Sequence, residues 1–224
     1  MSLDVYLASP RNQLQAHAAN GMDVLISFAT FSDWHTGYIQ SFKSLLIDSG
    51  AYSEFNTGAN IDGPAYRDFM QKWGDRAVAC AGLDDISGDW RRSMKNYREL
   101  GGFPTFHDTD PSELLDELID LARQRGGWLG IGLKPPREGK DRFLSDALER
   151  IPPDIHVHGW ALRAYRCMPG LASVDSTNWW RDAMQFRLDM PWLTYGETLD
   201  IVVKREQREI IRKKETSKQM ALQL

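Results

Sequence analysis

The residues able to do chemistry in this 224-residue chain fall in short clusters, each closing an apolar run. Asp48-Ser49-Gly50-Ala51-Tyr52 follows Leu45-Leu46-Ile47, and Asp84-Asp85 follows Ala81-Gly82-Leu83. His107 ends the run from Phe103, Gly130-Ile131-Gly132-Leu133 closes another, and His156-Val157-His158-Gly159 and Ser173-Val174-Asp175 close two more. Carboxyl groups in this company suit nucleophilic attack, general acid–base transfer or metal ligation. Asp84, His107, His156, His158 and Asp175 could form a mixed metal site, since two histidines two apart on a strand face the same way. Gly130-Ile131-Gly132 can also be read as a phosphate-binding turn, although two glycines are a weak signal and the turn comes early in the chain.

These clusters must be positioned by the elements they terminate. Candidate strands are Asp4–Ala8, Val24–Ala29, Ser44–Asp48, Ala77–Leu83, Phe103–His107, Trp128–Leu133, Ile155–Trp160 and Leu171–Asp175. They are nearly continuous in apolar residues, as strands covered on both faces are, and amphipathic segments alternate with them. Helices are expected from Asp62 to Gly74, from Asp89 to Gly101, and from Asp110, where Pro111 would take the first helical position. The pattern predicts an α/β protein: a compact, distorted or incomplete (β/α)8 TIM-type barrel over residues 1–180. Typical barrels use about 250 residues, so some helices must be short or missing, notably between Thr30 and Ser44. Residues 181–224 read as a tryptophan-containing, irregular extension with a basic C-terminal helix over 199–215. In such a barrel the chemistry gathers at the C-terminal strand ends, and polar residues from six strands converge on that rim.

Composition sets outer bounds. Hydrophobic residues make up 42% and charged residues 26%, the mix of a soluble globular domain. No run approaches the roughly 18 apolar residues of a membrane span, and the N-terminus lacks the pattern of a secretory signal. Cys80 and Cys167 form no CxxC pair and read as small buried hydrophobes in a reducing compartment, which places the protein in the cytoplasm. Residues 200–224 carry seven Lys/Arg against four acids, a tail of +3 on a body of −7. That asymmetry fits a polyanion contact and equally a solvated helix with interleaved charges.

Asp48-Ser49-Gly50-Ala51-Tyr52 resembles the DSGG[FY] motif of the tRNA-guanine transglycosylase (queuine tRNA-ribosyltransferase) superfamily. Those are barrel enzymes that exchange guanine for a 7-deazaguanine. Further similarities follow in order over about residues 44–180. Ala81-Gly82-Leu83-Asp84-Asp85 is similar to a strand ending in an acidic pair, and Phe106-His107 to a strand ending in glutamine. Gly130-Ile131-Gly132-Leu133 is similar to a Gly-Gly-Leu segment, His158-Gly159 to a Met-Gly pair, and Ser173-Val174-Asp175 to the strand delivering the nucleophile. The resemblance implies that Asp175 attacks C1′ of the target nucleotide and that Asp48 is the acid/base. It implies that Tyr52 stacks on the base beside Ser49 and Gly50, and that Asp84, or Asp85 in its place, reads the guanidine-like edge. Gly132 and Leu133 would meet the carbonyl side, with His107, His158 and Gly159 lining the pocket.

The departures carry as much meaning. The family's structural zinc is held by a cysteine-rich cluster and a histidine after the nucleophile strand, but no cysteine follows Cys167 and no histidine follows His158. No metal and no cofactor are therefore expected. The short chain resembles the shortened relatives, often viral, that insert 7-deazaguanines into DNA, so the expected location is the cytoplasm, a host's if the source is viral. Expected partners are DNA ahead of tRNA and a free 7-deazaguanine, with the chain alone or in a homo- or hetero-oligomer. Trp179, Trp180 and Trp192, with Lys204, Arg205, Arg208, Arg212 and Lys213, either grip the strand or, for the tryptophans, cover the barrel end. Two other readings stay open: a metal-dependent barrel hydrolase or lyase, and a non-catalytic barrel subunit of a base-modification complex. Against the first, the opening strand VYLAS lacks the His-x-His of binuclear amidohydrolase barrels.

Overall fold

A computed structural model describes residues 3–58, 60–134, 140–166, 168–206 and 208. Eight parallel strands form one sheet: β1 (Asp4–Ala8), β2 (Asp23–Ser27), β3 (Ser44–Asp48), β4 (Ala79–Cys80), β5 (Thr105–His107), β6 (Trp128–Gly132), β7 (His156–Trp160) and β8 (Ser173–Ser176). Their order is β4-β3-β2-β1-β8-β7-β6-β5, so the sheet curls with β4 and β5 as its two edges. The ladder does not run through that seam. One isolated parallel bridge, Ala81 to Phe103, spans it, with Phe103 N–H donating to Cys80 C=O and Gly82 N–H to Phe103 C=O, each at 2.8 Å. The fold is TIM-like in coarse terms, a curled eight-stranded sheet rather than a closed barrel.

The helices are α1 (Gln13–Ala18), α2 (Ala51–Thr57), α3 (Gly63–Trp73), α4 (Trp90–Leu100), α5 (Leu114–Gln124), α6 (Asp141–Arg150), α7 (Asn178–Asp189) and α8 (195–206). Asp62 and Asp89 cap α3 and α4 as their sequence signals predict: Asp62 accepts the Ala65 N–H at 3.0 Å, and Asp89 accepts those of Arg91 and Arg92. Asp110 does not cap α5. That helix starts four residues later, because Asp110 Oδ2 turns back to accept the His107 N–H at 2.8 Å. Between β2 and β3, three short 3-10 turns take the place of a helix.

Residues 178–198 correct the expectation of an irregular stretch, since α7 fills 178–189, and the helix expected from 199 is present over the described residues and begins at 195. Trp179 and Ala183 on α7, and Leu199, Val202 and Val203 on α8, pack into the same apolar cluster as Leu7 and Val24 of the sheet and Ala16 of α1. Trp179 is 1% exposed and its indole N–H donates to Ala8 C=O at 3.2 Å. Trp179→Ala is expected to cost about 3–5 kcal/mol, the range for emptying an aromatic core site, read by denaturant unfolding. Residues 209–215 of the expected basic helix lie outside the described residues.

Strand alternation divides the side chains into two sets. Outward residues such as Val5, Leu129, Ile131, Val157 and Val174 pack on the helices. Inward, Tyr6, Ala8, Leu25, Leu46, Ala81 and Phe103 form a small apolar cluster, with Trp128 and Trp160 against it. The same inward parity delivers Ser27, Asp48, Thr105, His107, His156, His158, Ser173 and Asp175. The register fixes their neighbours: Ser27 opposite Asp48, His107 opposite Gly132, His158 opposite Ser173, and Asp175 opposite Tyr6. The interior of the curl is therefore polar toward its C-terminal end. Cys80 is half-buried at the seam, where burial pushes its thiol up to about 11, and Cys167 lies outside the described residues. No helix among the described residues is long and apolar enough to cross a membrane.

Candidate active site

Asp48 ends β3 and is followed by a turn that only glycine completes. Gly50 has φ +90°, and a Cβ there would lie 2.3 Å from Ala29 Cβ. Its N–H donates to Asp48 Oδ2 at 3.1 Å, and Ser49 Oγ, itself buried, accepts the Ala51 N–H at 3.3 Å. Gly50→Ala is expected to destabilise the fold by about 1–3 kcal/mol, seen as a lower melting temperature, because it adds both strain and a clash under the carboxylate. Immediately afterwards, α2 carries Tyr52, which is 54% exposed.

Three carboxylates interact electrostatically at this end of the sheet. Burial pushes the Asp48 carboxyl up to about 7, and the charges of Asp84 and Asp175 both add to the rise. Ser27 Oγ lies beside it and works in the other direction, although its geometry falls outside strict hydrogen-bond limits. Among the described residues, Asp48 accepts a hydrogen bond from Gly50 N–H alone. The other two acids each face an imidazole. His107 Nε2 lies 2.7 Å from Asp84 Oδ2, and His158 Nε2 lies 3.5 Å from Asp175 Oδ1. Burial works to lower the His107 pKa, but the hydrogen bond and charge of Asp84, with Asp110 behind, outweigh it and leave the ring's pKa raised. The two acids with an imidazole partner thus sit beside one that has none and is half-protonated near neutrality, an arrangement suited to divided acid–base roles.

Asp175 is steadied from the side as well. Ala161 N–H donates to its Oδ1 at 2.7 Å, from a residue held at φ +52°. A non-glycine residue in that left-handed region is strained, and strain of this kind often marks a functional site. Neither Ala161 nor Ser27 was singled out by sequence reasoning. Ser27 was findable, because strand parity places it inward beside Asp48; a left-handed alanine leaves no mark in the sequence.

The remaining predicted residues divide. The glycines of β6 make room for neighbouring side chains: a Cβ on Gly130 would lie 2.5 Å from Thr105 Oγ1, and one on Gly132 would lie 2.5 Å from His107 Nδ1. The imidazole of His107 thus occupies the face of Gly132, and Leu133 buries its side chain in the outer core. Asp85 is turned away from the rim acids. It is bonded to Ser87 and Arg92, and these contacts lower its pKa despite burial. His158 is 0% exposed, so its side chain lies beneath Asp175 rather than on a pocket wall, and Gly159 packs closely on Leu162. His156 and His158 do share a face, yet both reach the Ser173 hydroxyl, and among the described residues no cluster with the makings of a metal site occurs.

Of the residues considered for a strand contact, Trp179 is in the core, whereas Trp180 has the guanidinium groups of Arg11 and Arg181 over its ring at 4.9 and 5.3 Å. Trp192 is 74% exposed. Lys204 and Arg208 are exposed, Arg205 pairs with Asp182 at 2.7 Å, and Arg212 and Lys213 lie outside the described residues. A groove of about 620 Å³ runs along α7, lined by Trp180, Arg181, Met184, Leu188 and Tyr195 among others and by none of the rim carboxylates.

No family model matches this chain, and no curated protein matches it.

Proposed function

We propose that the chain is a base-exchanging transglycosylase that replaces guanine in a nucleic acid, DNA ahead of tRNA, with a free 7-deazaguanine. The observation that carries this reading is the Asp48 carboxyl, half-buried and without a cationic partner beside two carboxylates that each face an imidazole. In the first half-reaction a carboxylate oxygen of Asp175 bonds to C1′ as the C1′–N9 bond breaks. The electron pair of that bond leaves with the purine, which takes the proton from Asp48. In the second, the incoming base gives its N9 proton to Asp48 and bonds C1′, and Asp175 departs as a carboxylate. Retention through a covalent intermediate needs the two carboxyl groups about 5 Å apart in the related glycosidase case, and Asp175 is near enough to act electrostatically on Asp48.

The Asp84–His107 pair would face the polar edge of the base, with Asp84 accepting and His107 standing where the resemblance has glutamine. Tyr52 supplies an exposed aromatic face for stacking on a base drawn out of its strand. The test is incorporation. Purified protein is incubated with labelled guanine or a 7-deazaguanine and either duplex DNA, single-stranded DNA or tRNA. Label appearing in one of these polymers supports the reading, and none in any of them removes it.

A further inference from the structure

Beneath Asp175, two imidazoles contact one hydroxyl group. Ser173 Oγ lies 2.8 Å from His156 Nε2 and 2.8 Å from His158 Nδ1. A serine hydroxyl has one proton, so for both contacts to be hydrogen bonds Ser173 donates to one nitrogen and accepts from the other. In one arrangement His156 Nε2–H donates to Ser173, Ser173 donates to His158 Nδ1, and the proton of His158 sits on Nε2. In the other, His158 Nδ1–H donates to Ser173, and Nε2 is either bare or protonated as well. A bare Nε2 would turn a lone pair toward Asp175 Oδ1, and this buried nitrogen has no hydrogen-bond partner elsewhere among the described residues. Every favourable arrangement therefore puts a proton on Nε2, facing the carboxylate.

The ring is not free to choose another direction. His158 is fully buried, edge-on to Tyr6 at 5.9 Å and to Trp160 at 4.5 Å. At the far end of the chain of contacts, His156 is stacked on Trp128 at 3.7 Å; burial, then the nearby His158, lowers its pKa to about 4. We propose that His158 is a positioning residue, whose Nε2–H, fixed through Ser173 by His156, orients the Asp175 carboxylate for attack on C1′. The 3.5 Å separation is longer than a hydrogen bond, and such contacts commonly tighten once substrate is bound. The role rests on the base-exchange reading, while the contact itself does not.

Two measurements test it. The first is ¹⁵N NMR of histidine-labelled protein, which reports directly which ring nitrogen carries the proton. A protonated His158 Nε2 near pH 7.5 is the expected result, becoming a mixture of tautomers in Ser173→Ala; a bare Nε2 in the wild type overturns the proposal. The second is the exchange rate at saturating base. His158→Asn and Ser173→Ala are each expected to lower it roughly tenfold to a hundredfold with the KM for the free base little changed, the scale of misplacing a reacting group. Should His158→Asn fail to fold, Ser173→Ala, which removes a single hydroxyl, carries the test. A folded Ser173→Ala protein exchanging at the wild-type rate overturns the positioning role. If the wild type itself exchanges nothing, the base-exchange reading fails, and the NMR result still decides whether the Nε2 proton faces Asp175.

Discussion

Asp175→Asn is expected to leave the protein folded and to lower base exchange by a factor on the order of 10⁴ or more, the scale seen when an attacking residue is removed. The amide keeps the shape of the side chain and can still accept the Ala161 N–H through its oxygen, so the rim should hold its geometry. What it lacks is an anionic oxygen able to form the glycosyl ester. Rate should be measured as label incorporated into the polymer, alongside circular dichroism and a melting curve. A folded variant that exchanges at the wild-type rate would remove Asp175 from the chemistry.

Asp48→Asn is expected to lower exchange by roughly 10²–10⁴-fold, the usual contribution of a positioned acid/base. It also has a signature in pH. Wild-type exchange needs Asp48 protonated to expel guanine and deprotonated to admit the new base. The rate should therefore peak near pH 7, where burial and the neighbouring charges have pushed this carboxyl, and the peak should be absent in the variant. Stability gives an independent check with a definite sign. The folded-state value of about 7 stands above the ordinary 3.8, so the folded protein binds the proton more tightly than the unfolded chain does. That contribution is fully present below about pH 4 and is lost as pH rises to about 7, by up to roughly 1.4 kcal/mol per pH unit. Relative to wild type, Asp48→Asn should gain stability between pH 5 and pH 8. A constant difference across that range would mean that the Asp48 carboxyl titrates as an ordinary surface acid.

Much of the fold was legible because the strands are short, apolar and punctuated. β1 and β3 run over the residues expected of them, and capping aspartates placed α3 and α4. The shortness of β4 was not legible. Its neighbours at the seam, Gly82 and Phe103, join through one bridge instead of a ladder, and Tyr66 on α3 reaches in to donate to Ala81 C=O. Helix α7 escaped notice because its tryptophans mask a sparse stripe, Trp179 and Ala183, that only the presence of the sheet beneath makes meaningful. In the site, the strand-end rule selected Asp48, Asp84, His107 and Asp175 from sequence alone. What it could not supply was the pairing: that His107 spends its Nε2 on Asp84, that Asp85 turns to Arg92, and that His158 lies under Asp175. Those depend on side-chain reach across strands that are far apart in sequence.

The most direct measurement is the mass of the denatured protein after reaction with an oligonucleotide and 9-deazaguanine, which carries carbon in place of N9 and so lacks the nitrogen that would displace Asp175 from C1′, followed by peptide mapping. A protein–oligonucleotide adduct attached at Asp175, present in the wild type and missing in Asp175→Asn, is the expected result. An adduct at another residue, or active exchange with no covalent species at all, would contradict the assignment of Asp175 as the group that carries the sugar.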